Sequence, residues 1–92
     1  MGGATRSRRY RKFLKKLRAA RKAAGLTQVE VASLLNQPQS YVSRCESGER
    51  RVDIIELVDF AAIYGQPLSY FVDKSPLVMR TQKPTTEEEV EG

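Results

Sequence analysis

The sequence predicts an all-α fold, a compact five-helix bundle in one domain, from three observations. Apolar residues recur at helical spacing through most of the first 72 positions, no stretch alternates as a half-buried strand would, and the periodic segments are separated by cap residues, Gly and Pro. A chain of 92 residues holds one modest core.

Residues 1–7 lack periodicity and are expected to form a flexible arm, leaving 8–72 as the folded domain. Tyr10, Phe13, Leu14, Leu17 and Ala24 share one helix face, so a first helix is predicted from about Ser7 to Ala24. Gly25 stops it, because it takes a left-handed conformation without a Cβ penalty. Thr27 and Glu30 make a capping box for a second helix over 27–35, with Val31, Ala32 and Leu35 inward and Asn36 as its left-handed end. A third helix over 38–45 follows, with Pro38 tolerated in its first turn. Asp53 and Glu56 repeat the cap arrangement before Ile54, Leu57, Val58 and Ala61, predicting a fourth helix that ends near Tyr64 and Gly65. Pro67 opens a short fifth helix, Leu68 to Val72, with Leu68 and Phe71 on one side. Residues 73–92 carry no periodicity and end in an acidic run, so a disordered tail is expected.

Composition narrows the function. Cys45 is the only cysteine and histidine is absent, which leaves no internal disulfide and no usual zinc ligand set. No apolar run approaches membrane-spanning length and no secretory signal pattern is present, so a cytoplasmic protein is expected. No nucleophile, base and orienting group converge in the pattern, so neither an enzyme nor a cofactor is expected. The net charge of +5 hides an asymmetry: residues 1–25 contain Arg6, Arg8, Arg9, Arg11, Lys12, Lys15, Lys16, Arg18, Arg21 and Lys22 and no acid. Such a surface seeks a polyanion, either nucleic acid or an anionic membrane. The apolar face of the same helix is needed for the domain core, which weakens the membrane alternative.

Two helices joined by a very short link, with small Ala32 where the second crosses the first, make a helix-turn-helix that offers its second helix to a major groove. In Leu26-Thr27-Gln28, Val31-Ala32, Leu35, Gln39-Ser40-Tyr41-Val42-Ser43-Arg44 and Glu46-Ser47-Gly48-Glu49-Arg50-Arg51, the sequence resembles the Cro/Xre-type, phage lambda repressor-like family. The likeness extends over roughly residues 10–72.

The resemblance implies a sequence-specific DNA-binding transcriptional regulator. Gln39, Ser40, Ser43 and Arg44 would read base edges, Gln39 suiting adenine and Arg44 guanine. Gln28, at the start of the second helix, would hold a phosphate. Arg50 and Arg51, in the loop after the reading helix, would clamp the backbone, and Tyr41 would either donate to a phosphate or cover the base of its helix. Arg21 and Glu46 occupy the family positions of an ion pair between the first and third helices. Two departures stand out: Pro38 replaces the usual Ser or Thr cap, and Val29 and Leu34 are apolar where polar residues are usual.

The expected partner is double-stranded DNA bearing an inverted-repeat operator, bound by a homodimer acting as a repressor, with no small-molecule ligand. The competing expectation is an antitoxin or adaptor whose main partner is a protein bound through the fifth helix and tail. Val29 and Leu34, together with Tyr70, Val72, Leu77, Val78 and Met79, exceed what one small core needs, and part of this excess is expected to form a dimer contact.

Overall fold

The computed structural model describes residues 7–72. Five helices follow in the order α1 (Arg8–Ala23), α2 (Gln28–Leu35), α3 (Gln39–Ser47), α4 (Ile54–Tyr64) and α5 (Leu68–Phe71), with no strand among the described residues. The all-α expectation holds. The expected arm, apart from Ser7, and the expected tail with Leu77, Val78 and Met79 lie outside the described residues.

Local chemistry sets most helix ends. Ser7 belongs to the domain, since its hydroxyl accepts the Tyr10 N–H at 3.0 Å and caps α1. Both capping boxes form: Thr27 with Glu30 opens α2 and Asp53 with Glu56 opens α4. Asn36 adopts φ 58° and ends α2, with the Gln37 N–H closing onto the Ala32 carbonyl at 2.9 Å. That left-handed residue turns the chain directly into α3.

The third helix is displaced from its expected span. Pro38 stands outside the first turn as the extended cap residue, φ −71° and ψ 158°, with its carbonyl accepting the Tyr41 N–H at 3.0 Å. Proline has no side-chain acceptor, so α3 begins without a side-chain cap. At the other end α3 continues through Glu46 and Ser47. Gly48, φ 88°, is the first position free to turn left-handed, and the helix stops there.

The core gathers Leu17 and Ala20 of α1, Val31 and Ala32 of α2, Val42 and Cys45 of α3, Leu57, Phe60, Ala61 and Tyr64 of α4, and Phe71 of α5. Phe60 and Phe71 are among the largest fully buried side chains, each worth about 1.5–3 kcal/mol of burial. Four expected inward positions instead face out: Ala24, Ile54, Val58 and Leu68. The reason is aromatic packing. Phe60 stacks on Tyr41 with centroids 6.3 Å apart and meets Tyr64 at 6.0 Å, which turns the 57, 60, 61, 64 face of α4 inward and leaves Ile54 and Val58 outside. In α1, Ala20 takes the inner place expected of Ala24.

Candidate nucleic-acid interface

The third helix has two chemically distinct faces. Val42, Cys45 and Glu46 are buried, whereas Gln39, Ser40, Ser43 and Arg44 are all exposed. The four residues expected to read bases therefore share the side turned away from the core, as positions 39, 40, 43 and 44 must when 42 and 45 point inward. Ala32, only 3 % exposed, is the small residue that lets α3 cross α2 closely. Cys45 is wholly buried and its thiol is pushed up by desolvation, which makes it a core residue and a poor nucleophile.

A polar chain under this helix ties three elements together. The Arg21 guanidinium donates to the Glu46 carboxylate through Nε at 2.6 Å and through a second nitrogen at 3.1 Å. Its remaining arm reaches the Leu26 carbonyl at 3.0 Å, which pins the link before α2. Glu46 is 2 % exposed, and the hydrogen bond to it holds Arg21 above its usual pKa. Gln28 Nε2 donates to Glu46 Oε1 at 3.0 Å, and Gln28 Oε1 accepts from Gln39 Nε2 at 3.3 Å. The family resemblance implies Arg21 and Glu46 as a pair. Nothing in the sequence shows that Gln28 joins that pair to Gln39, because the link depends on how α2 and α3 cross.

Gln28 is thus doubly engaged. Its amide nitrogen carries two hydrogens, so one remains beyond the bond to Glu46, and the same count leaves Gln39 a donor and an acceptor.

The loop after α3 is organised around Glu56. Arg50 donates to both carboxylate oxygens of Glu56, at 2.9 and 2.7 Å, and to the Arg51 carbonyl at 3.0 Å. Its guanidinium also lies 4.8 Å from the Tyr41 ring centroid. Arg50 binding and the Asp53 N–H hold the Glu56 carboxyl below the usual carboxylate range. Tyr41 is half-buried, and burial pushes its phenol up to about 12. The Tyr41 ring stacks on Phe60 and has the Arg50 guanidinium over it. Arg51 is exposed, with its guanidinium 4.8 Å from the Tyr10 centroid, while the Tyr10 hydroxyl accepts the Val52 N–H at 3.0 Å. Nothing local in the sequence links Arg50 to Glu56, which already serves as the N3 partner of Asp53.

Basic charge continues along α1. Arg8, Arg11, Lys15, Arg18 and Lys22 are exposed and spaced by three and four, which aligns them on one side of the helix. Arg11, Lys15 and Arg18 line a groove with Glu46 and Ser47, so this ridge runs beside the C-terminal end of α3.

An all-α scaffold that buries one side of a short second helix against the first and exposes polar side chains on the other defines a helix-turn-helix DNA-binding domain. Residues 17–71 match the helix-turn-helix family, and the chain belongs to that family, in its Cro/C1 type. It is a DNA-binding helix-turn-helix regulator. Comparison with curated proteins and with solved structures gives no match. Among the described residues no helix is long and apolar enough to cross a membrane.

Proposed function

We propose that the protein is a cytoplasmic repressor that binds an inverted-repeat operator as a homodimer and acts by equilibrium occupancy. The observation that carries this reading is the exposure of Gln39, Ser40, Ser43 and Arg44 together on a helix whose opposite face is wholly buried. A rigidly held helix keeps its readers at constant offsets from base edges. Gln39 pairs with adenine, Arg44 with guanine, and Ser40 and Ser43 with base or phosphate.

Backbone contacts come from Gln28 at the start of α2, from Arg51, and from the α1 ridge. Arg50 and Tyr41 can offer a phosphate only what Glu56 and the aromatic stack leave over, so their main task is to hold the loop that presents Arg51. Selection of bound sequences from a random duplex pool tests the proposal. Palindromic sites with half-sites about one helical turn apart are the expected product. A pool that gains no sequence preference would remove the operator-reading role.

One observation favours a second reading, in which a protein is the main partner, as for an antitoxin or adaptor. Ile54, Ile55 and Val58 of α4 are 60 %, 68 % and 44 % exposed, and Leu34 is 62 % exposed. These exceed the exposed apolar surface that α5 offers through Leu68 at 39 %. In the first reading this face serves the homodimer. A stable heterologous complex recovered on purification, with the free protein failing to shift any duplex at low salt, would favour the second.

A further inference from the structure

The α1 ridge is the strongest single-sign feature among the described residues, and the same chain carries a dense run of the opposite sign. Arg8, Arg11, Lys15, Arg18 and Lys22 extend over about 21 Å at 1.5 Å per residue. α1 contains no acidic residue. Glu46 reaches Arg18 at 3.9 Å, but it is buried and committed to Arg21 and Gln28. Residues 87–91, Glu-Glu-Glu-Val-Glu, place four carboxylates within five positions, and every cation of the segment after Val72 (Lys74, Arg80, Lys83) precedes them.

Where the described chain ends makes the encounter local. Val72 lines a groove with Ser7, Arg9 and Tyr10, beside the first turn of α1. The 15 residue steps from Val72 to Glu87 reach at most about 50 Å when extended. That reach exceeds the length of the ridge. A tether of this length gives an effective concentration in the millimolar range. Exposed ion pairs are individually weak, yet several formed together at such a concentration compete with a phosphate backbone.

We infer that residues 87–91 dock on the α1 ridge and that a DNA duplex must displace them. The competition, though not the contact, rests on the proposed use of the ridge for phosphates. The docked segment acts as an internal phosphate mimic. The tail therefore lowers the affinity for any duplex that uses the ridge, and base reading by α3 decides which duplex gains enough to displace it. Salt weakens the contact by screening, so opposition is greatest at low ionic strength.

The test compares the whole protein with a variant combining Glu87→Gln, Glu88→Gln, Glu89→Gln and Glu91→Gln, which alters nothing in the described domain. Without DNA and at low salt, the amide resonances of residues 8–22 are expected to move between the two proteins, independently of protein concentration. With a random duplex the variant is expected to bind about tenfold tighter at low salt, with a steeper salt slope, the two proteins converging near 1 M salt where the screening length is about 3 Å. Unmoved α1 resonances overturn the contact. Movement that grows with protein concentration overturns it as an intramolecular one, and equal duplex affinity overturns the competition. If the resonances move but neither protein binds any duplex, the DNA role of the ridge fails while the docking itself stands.

Discussion

Two arginine–carboxylate pairs bracket α3, and they sit at different depths. Arg21 and Glu46 lie beneath α3, with side chains 12 % and 2 % exposed, whereas Arg50 and Glu56 lie beyond its end at 41 % and 21 %. Both are held by two hydrogen bonds between guanidinium and carboxylate. The deep pair has been taken out of water, so each charge depends on the other and on Gln28 and Leu26 for its solvation. The shallow pair keeps partial access to solvent and contributes little to global stability. One pair secures the scaffold that aims Gln39; the other shapes a loop.

The largest expected effect therefore falls on the deep pair. Glu46→Ala should lower unfolding free energy by about 3–5 kcal/mol, measured by urea denaturation, because Arg21 is left buried without its counter-charge. A loss no larger than that of Arg50→Ala would erase the distinction. Next, Arg44→Ala should leave stability unchanged but weaken operator binding by about 1–3 kcal/mol and relax one base position. Titrations against specific and random duplexes decide this, and equal loss on both would remove Arg44 as a base reader. Pro38→Ser should stabilise by about 1 kcal/mol by supplying the missing acceptor at the start of α3, seen as a raised denaturation midpoint.

The smallest effect belongs to the shallow pair. Glu56 titrates below the usual carboxylate range in the folded state, so its contribution is complete above about pH 4.3 and is lost as pH falls through the lower folded value. Resonances of residues 48–53 should follow that transition. Glu56→Gln should abolish it while changing global stability by about 1 kcal/mol or less. Loss of the whole fold in Glu56→Gln would place this pair with the deep one.

Features set by close neighbours along the chain are legible in the residues themselves. The Thr27 with Glu30 and Asp53 with Glu56 boxes, the left-handed Asn36 and the stop at Gly65 arise from contacts spanning a few residues, where backbone geometry leaves little choice. Legibility failed where two helix faces could both be read as apolar. Ile54 and Val58 carry the same periodic signal as Leu57 and Ala61, and only the placing of Phe60 against Tyr41 selects between them. It failed again for Arg50, whose spacing from Glu56 belongs to no helical pattern because a loop separates them.

By itself the sequence determined the helix order, the capping boxes of α2 and α4, the polar composition of the outward side of α3 and the basic character of α1, because each depends on local periodicity or charge. The tertiary structure decided which α4 residues enter the core and that Gln28 bridges Glu46 to Gln39. It also decided that Arg50 is bound to Glu56 while Arg51 stays exposed. Those outcomes follow from the crossing of helices distant in sequence, where packing of large side chains and desolvation of charge, rather than propensity, set the lowest free energy.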